Sequence, residues 1–222
     1  MVQIEATKII REKIPGFKLG VVEVRGATVT NDCPQFEPLF NELTSYLKKH
    51  FERQPLSSNE VIGHVRRMYR RVGWEPTKYR PSSEALARRI LQGKGWYRIN
   101  NAVDLGNIVS ARFHLPMGLY DVSKIEGQIL LDVGKPDETY DGISRQAIHA
   151  EGKLILRDDL GIFGNPTSDS KRTSLTPASE HLLALFFTPP EVDDAYLDET
   201  LNTLMEYYRP FGKRLEKQII KF

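Results

Sequence analysis

The sequence predicts an α+β fold in which a mixed β-sheet, folded into two packed layers like a sandwich, is surrounded by helices. Three observations lead to this prediction. Before residue 92, apolar residues recur every three or four positions, which is typical of amphipathic helices. Short strand patterns separated by turn residues occupy about 119–157. The unbroken apolar run Leu182-Leu-Ala-Leu-Phe-Phe187 indicates a strand buried on both faces.

The composition is that of a globular protein with one substantial core. The 222 residues are 40% hydrophobic and 27% charged, and the formal net charge is only +2, so nucleic-acid binding would need a local basic patch. The single cysteine, Cys33, excludes an intrachain disulfide and a cysteine-based metal site. No apolar run approaches ~18 residues and no signal-peptide pattern is present, which predicts a cytoplasmic protein that does not associate with membranes.

The first third of the chain is predicted to form a strand and three helices. The strand is Lys18–Arg25, and the helices cover about residues 35–51, 59–72 and 82–91. Serines before the second and third helices are suited to cap them. The second helix places four arginines on its polar side: Arg66, Arg67, Arg70 and Arg71. They could contact RNA phosphates, and the alternative is an ordinary solvated helix face.

A central helix is predicted from about Ala102 to Phe113, with Asn100 and Asn101 as candidate N-caps. Helical spacing places the apolar residues on one face and a polar stripe on the other. That stripe consists of Asp104, Asn107, Ser110 and His114. His114 ends the helix, where the helix dipole favours its protonated form, so its charge is expected to respond near neutral pH.

The remainder is predicted to be mostly strands. A strand begins at Leu119–Val122 and continues over 128–133 after a turn at Glu126-Gly127, and further strands cover Ile143–Ile148 and Lys153–Arg157. A final helix runs from 193 to 208, with Asp193 or Asp194 as its cap. The tail from Lys213 is predicted to be a short helix or disordered.

Four segments resemble a known family. The segments Asn100-Asn-Ala-Val-Asp-Leu-Gly-Asn107, Pro116-Met-Gly-Leu-Tyr-Asp121 and Lys124-Ile-Glu-Gly127 are similar, in order and spacing, to the opening of the B3/B4 domain of the phenylalanyl-tRNA synthetase β subunit. Leu160-Gly-Ile-Phe-Gly164 resembles the family's second signature, a glycine-rich turn that closes the same pocket. The resemblance covers about 81–187. It implies one domain over 1–222, with the region 1–76 and the helix 193–208 packed on this core.

The resemblance implies an editing-type pocket, because the synthetase domain hydrolyses wrongly charged tRNA. Asn107 is the residue it implies for catalysis. The implied ligand-contacting residues are Asp104, Ser110, His114, Gly118, Tyr120, Gly164, Asn165, Thr167, Ser168 and Asp169. Three positions depart from the family, because Gly106, Gly118 and Pro166 stand where it has threonine, histidine and glutamate. The run from Asn165 to Thr173 looks like that of free-standing relatives.

The residues themselves leave other interpretations open. Asp104 could be a capping acid, Asn107 a surface amide and His114 a residue that bonds the last helix carbonyls. The loop after Gly164 could be an ordinary polar turn set by Asn165-Pro166, with Asp169 paired to Arg172. No phosphate-binding glycine loop occurs and the histidines lack metal-ligand spacing, so we expect neither a cofactor nor a metal.

Two functions follow from this sequence. The first is an aminoacyl-tRNA editing or tRNA-binding domain, in which an amide such as Asn107 positions water against an already activated ester. Its partner would be tRNA or aminoacyl-tRNA. The second is a non-catalytic module that binds an amino-acid-like small molecule or a partner protein. An open polar cleft beside arginines would favour the first, and a filled cleft would favour the second.

Overall fold

The computed structural model describes residues 1–144 and 146–222, which form six labelled helices and ten strands. The helices are α1 Lys8–Lys13, α2 Phe36–Phe51, α3 Glu60–Arg71, α4 Ser82–Leu91, α5 Asn101–Phe113 and α6 Asp194–Tyr208. The strands are β1 Ile4–Ala6, β2 Lys18–Arg25, β3 Met117–Asp121, β4 Ile129–Val133, β5 Thr139–Asp141, β6 Ala147–His149, β7 Leu154–Asp158, β8 Gly161–Gly164, β9 His181–Thr188 and β10 Arg214–Lys221. Single 3-10 turns occur at Leu56–Ser58 and Val122–Lys124.

The strands form two four-stranded sheets and one small hairpin. The first sheet has the order β1-β4-β7-β8, in which β1 and β4 are parallel and the other pairs antiparallel. The second has the order β10-β2-β9-β3 and is antiparallel throughout. Strands β5 and β6 pair separately. The predicted α+β class with a mixed sheet is confirmed.

One large hydrophobic cluster contains residues of both four-stranded sheets and of all six helices. Strand β9 supplies its centre, since the apolar residues 182–187 are at most 1% exposed. A second, small cluster lies beneath the β5-β6 hairpin and consists of Tyr140, Ala150 and Ile155. The apolar run in β9 is buried on both faces, as predicted, because its side chains alternate between the two faces and all of them are buried.

Several element predictions were wrong. Strands β3 and β4 belong to different sheets, so the chain crosses between layers at 122–128 and does not continue one strand. Gly161–Gly164 is a strand and not a turn, and the predicted strand 143–148 is shifted to Ala147–His149; residue 145 lies outside the described residues. The tail from residue 213 is neither a helix nor disordered. It forms β10, which pairs along all of β2.

Helix capping also differs in detail from the prediction. Asn100 caps α5, because its side chain accepts a hydrogen bond from the Val103 amide at 2.9 Å. Asn59 caps α3, in place of the preceding serines. Asp193 caps α6, which was one of the two expected residues. At α4 no side chain caps the helix, and Ser83 instead donates to the His114 carbonyl at 3.0 Å.

Across residues 1–144 and 146–222, no helix has both the length and the apolar character needed to cross a bilayer.

Candidate functional site

The polar stripe of α5 separates into buried residues and a single residue that reaches the surface. Asp104 is fully buried, and its carboxylate accepts hydrogen bonds from the Ile99 amide at 3.0 Å and from Arg98 Nε at 2.7 Å. Ser110 is 1% exposed and donates to the Leu115 carbonyl at 2.7 Å. These contacts hold the two ends of the helix. Asp104 therefore has the capping role that was the alternative to ligand contact.

His114 is buried at the C-terminal end of α5. It adopts a left-handed conformation with φ 57°, is 1% exposed, and packs its ring edge-on against Phe51. Neither ring nitrogen has a hydrogen-bond partner in the described chain. Burial, with a smaller repulsion from Arg112, lowers the pKa of His114 to about 4. The expectation that His114 titrates near neutral pH was wrong, as was a bond to the last carbonyls, because desolvation outweighs the helix dipole.

Asn107 lines an open cleft of about 590 Å³ between α5, α4 and the turn after β8. We call it the Asn107 cleft. Thr167 lines it from the turn, and Ser82 and Gln92 line it from the side of α4. The remaining polar lining residues are four cations: Arg80, Arg88, Arg89 and Lys94. No carboxylate is among the residues that line it, so the cleft is positively charged.

The four cations differ in the hydrogen bonds and ion pairs that they form within the chain. Arg89 donates to the carbonyls of Lys94 and Gly95, both at 2.9 Å, and so fixes the loop after α4. Arg80 lies 3.3 Å from the carboxylate of Glu84. Arg88 and Lys94 are exposed and form no ion pair within the described residues. They remain available for an anionic ligand.

Gly118 does not line the cleft, which contradicts the expectation that it would share a cavity with Asn107. Gly118 and Tyr120 point to the same face of β3, as residues two apart in a strand do. A β-carbon on Gly118 would lie 2.8 Å from Cε2 of Tyr120 and closer still to its hydroxyl. The tyrosine ring therefore occupies the space into which a histidine at this position would extend.

The Tyr120 hydroxyl forms a hydrogen bond with a carboxylate. It donates to Asp169 Oδ1 at 2.6 Å, and the Leu119 amide donates to the other oxygen at 3.3 Å. Gly164 completes the enclosure, because a β-carbon there would lie 2.8 Å from the tyrosine ring and 2.9 Å from Asp169 Oδ1. We call these residues the Tyr120–Asp169 contact. Desolvation raises the pKa of Asp169 to about 7, although the hydrogen bonds from Tyr120 and Leu119 oppose the shift.

The turn between Gly164 and Asp169 links the two features. The side-chain oxygen of Asn165 accepts from the amides of Thr167 and Ser168, both at 2.8 Å. Asn165-Pro166 therefore does set a turn. The expected pair of Asp169 with Arg172 was wrong, because Arg172 instead binds Asp158 with two hydrogen bonds of 2.9 and 2.7 Å.

The arginines of α3 are partly engaged within the chain. Arg66 donates twice to Glu84, at 2.9 and 2.6 Å, and Arg71 pairs with Glu191 at 2.6 Å. Within the described residues, the one side-chain hydrogen bond of Arg67 is to His64, and Arg70 is exposed. Because Glu84 also contacts Arg80, the arginine face of α3 adjoins the wall of the Asn107 cleft.

Sequence reasoning missed the basic residues of the cleft. Arg88 lies on the exposed side of α4, and Lys94 lies in the loop Gly93-Lys-Gly95 that follows it. Their signal was a cluster of cations at the end of one helix, directly before the central segment. Among the described residues, no group of three His, Cys, Asp or Glu side chains has the arrangement of a metal site.

Comparison with known proteins identifies the family. The model of the B3/4 domain matches residues 64–208, which include α4, α5, the Asn107 cleft and the Tyr120–Asp169 contact. The chain belongs to the B3/4 domain family. The resemblance noted in the sequence is thus confirmed, and the protein is a module related to part of a tRNA synthetase.

Two relatives are similar to this B3/4 domain. A phenylalanine–tRNA ligase β subunit of Fusobacterium nucleatum is 35% identical over 126 residues, which make up 52% of this chain and 15% of the relative. A solved N-terminal fragment of the phenylalanyl-tRNA synthetase β subunit of Pyrococcus horikoshii aligns with 98% of this chain and 50% of the fragment, with 12% identity and a TM-score of 0.48. The chain therefore spans a small part of the length of the curated relative.

Proposed function

We propose that this B3/4 domain binds tRNA or aminoacyl-tRNA through the Asn107 cleft. One observation carries the proposal: an amide, hydroxyl groups and four cations line one open cleft that has no carboxylate in its lining. Its volume of about 590 Å³ lies in the range of pockets that accept nucleotide-sized groups. The relatedness to a phenylalanine–tRNA ligase subunit supports the same class of ligand.

The phosphate groups of a tRNA would complement the positive charge of the cleft. Guanidinium and ammonium groups that lack a partner within the protein gain charge-assisted hydrogen bonds from phosphate oxygens. Arg88 and Lys94 meet this condition, whereas Arg80 and Arg89 are already engaged. Asn107 and Thr167, at the α5 side of the cleft, could then contact the terminal ribose or the esterified amino acid.

Binding is better supported than efficient hydrolysis. The family's threonine, histidine and glutamate are replaced by Gly106, Gly118 and Pro166, and Gly106 is buried against Met117 and Tyr208. No imidazole or carboxylate lines the cleft that could accept a proton from water. Hydrolysis would rest on Asn107 as a residue that positions water. In that case Asn107→Ala lowers the single-turnover rate on the order of tenfold to a hundredfold.

The test compares salt dependence of tRNA binding in two double variants. Arg88→Gln with Lys94→Gln should weaken binding and lower the slope of log affinity against log salt by about one to two, because each lost phosphate contact removes roughly 0.7–0.9 from the slope. The control is Lys13→Gln with Lys49→Gln, which removes the same charge from exposed residues outside the cleft. An equal effect of both double variants would show that only net charge matters.

A third variant tests the arginine helix. Arg67→Gln with Arg70→Gln should reduce the slope by a smaller amount, since these side chains adjoin the cleft wall without lining it. If tRNA affinity is unchanged in every variant, the proposal fails.

The alternative function is a non-catalytic module for a small ligand or a partner protein. The filled space above Gly118 favours it, because the Tyr120–Asp169 contact leaves no room there for an amino-acid side chain. A panel of correctly and wrongly charged tRNAs separates the alternatives. Release of amino acid supports editing, tRNA affinity without release supports a tRNA-binding domain, and the lack of both supports the alternative.

A further inference from the structure

A second cavity opens on the other side of the Asn165–Asp169 turn. It has a volume of about 180 Å³, and aromatic side chains of Trp74 and Tyr79 form one wall. Asn165, Thr167 and Ser168 line it from the turn, and Lys153 extends into it from the start of β7. We call it the Lys153 pocket. Among the described residues, only Thr167 lines both this pocket and the Asn107 cleft, so the two are separate cavities.

Lys153 is a buried cation without an anion. The residue is 7% exposed, and its Nζ forms no hydrogen bond or ion pair with the described part of the chain. The amine lies 4.2 Å from the centre of the Tyr79 ring and 5.9 Å from that of Trp74. Burial, with repulsion from Lys78, lowers the pKa of Lys153. The side chain is largely buried, but Nζ is not among the fully buried polar atoms, so the ammonium group opens onto the cavity.

The neighbouring polar groups are also donors without acceptors. Asn165 is 2% exposed, and its side-chain oxygen already accepts from two backbone amides, which leaves the NH₂ group unused within the described residues. The Ser168 carbonyl accepts from the Tyr140 hydroxyl, while the Ser168 hydroxyl has no partner in the same part of the chain. Three donor groups from separate residues therefore line one cavity together with the imidazole of His149, and no carboxylate side chain is among the described residues that line it.

We propose that the Lys153 pocket binds the carboxylate of a small organic acid. A carboxylate accepts from the Lys153 ammonium, the Asn165 amide and the Ser168 hydroxyl, and the aromatic wall of Trp74 and Tyr79 contacts the apolar part of the same molecule. Trp74 is held in place for this contact, since its ring stacks on Tyr69 at 4.2 Å with an interplanar angle of 7°.

Size and charge restrict the ligand further. The cavity is smaller than the roughly 300 Å³ at which pockets for drug-sized molecules begin, so a nucleotide does not fit. One lysine lines it, which matches the single charge of a carboxylate better than the double charge of a phosphate. The enclosed aromatic wall requires an apolar group next to the carboxylate.

The two tryptophans provide a direct measurement. The sequence contains only Trp74 and Trp96, and Trp96 packs elsewhere, against Phe36 and Phe40. In a ¹⁵N–¹H spectrum, titration with isobutyrate should shift the Trp74 indole signal saturably and leave that of Trp96 in place. Isobutyramide has the same shape without charge and is the matched control ligand. The Trp96→Phe variant assigns the signals.

Lys153→Met should weaken isobutyrate binding on the order of tenfold to a hundredfold, the range for hydrogen bonds to charged groups. It should fold, because an apolar chain of similar length replaces a buried unpaired charge, and its melting temperature checks this. Lys78→Met is the matched control, because Lys78 contacts Tyr79 without lining the pocket, and it should bind normally.

Several outcomes would overturn the assignment. They are an equal shift with isobutyramide, unchanged binding in folded Lys153→Met, and tighter binding of inorganic phosphate than of isobutyrate. The absence of any Trp74 shift would do the same. Each of these results leaves the tRNA measurements with the Asn107 cleft unaffected, so the two proposals fail independently.

Discussion

The Tyr120–Asp169 contact and the Asn107 cleft are built around the same turn and have opposite character. Thr167 of the turn faces an open, basic cleft, whereas Asp169, two residues later, is half-buried and accepts a hydrogen bond from a buried tyrosine. Both features include positions that the sequence resemblance singles out: it implies that Asn107 is kept and that Gly118 stands where the family has histidine. One turn thus borders both an open cleft and a space that is filled by a neighbouring tyrosine side chain.

The largest effect is expected for Gly118→His, which introduces the residue that the family resemblance implies at this position. The new side chain would overlap with Tyr120, displace its hydroxyl and leave the Asp169 carboxyl without its partner. We expect a loss of about 4 kcal/mol in the free energy of unfolding, measured with denaturant. Gly63→Ala is the control, since its new β-carbon meets only Arg67 at 3.5 Å. A Gly118→His protein as stable as the parent would show that Tyr120 moves away freely.

The second prediction concerns His114, whose burial lowers its pKa to about 4 in the folded chain. Since the unfolded pKa is about 6.5, the neutral imidazole contributes stability above pH 6.5, and this contribution is lost as the pH falls towards 4. Between pH 7 and pH 5 the loss is about 2 kcal/mol. His114→Phe should remove that loss in unfolding experiments at the two pH values. His149→Gln, an exposed histidine, is the control.

Asp169 should show a smaller effect of opposite sign. Its pKa is raised to about 7 in the folded chain, so its contribution to stability is complete below about pH 4 and is lost as the pH rises through 7. Because the residue is partly exposed, we expect about 1 kcal/mol between pH 5 and pH 7. Asp169→Asn keeps an acceptor for Tyr120 and should abolish this decline. A variant with the parent's pH profile would contradict the assignment.

The local sequence pattern was sufficient to predict the bounds of elements that have one uninterrupted apolar run or helical repeat. The bounds of β2 and α2 agree with the sequence prediction to within one residue, because an apolar run or a helical repeat continues without interruption in each. The tail at β10 was missed because Leu215, Ile219 and Ile220 alternate only loosely with charged residues. What makes this segment a strand is the edge of β2, which a local pattern cannot show.

The site was predictable in its positions and less so in its chemistry. The resemblance to the family's two signatures implied that Asn107 and the turn at Asn165 approach one another, and Thr167 does lie with Asn107 at one cleft. The side chain above Gly118 depends on packing between two sheets, which spacing alone does not describe. His114 was misjudged for a similar reason, because the helix dipole is a local property and burial depends on the fold around α2 and α5.

The pairing of β2 with β9 and β10 has a consequence for synthesis of the chain. Seven of the eight residues of β2 are buried, yet both of its neighbouring strands lie near the opposite end of the sequence. As the chain leaves the ribosome, this apolar strand therefore has no pairing strand until β9 and β10 have emerged. Sheets closed by such distant segments form slowly and expose unpaired backbone in the interval. The nascent protein should therefore depend on chaperones more than a chain whose neighbouring strands are consecutive.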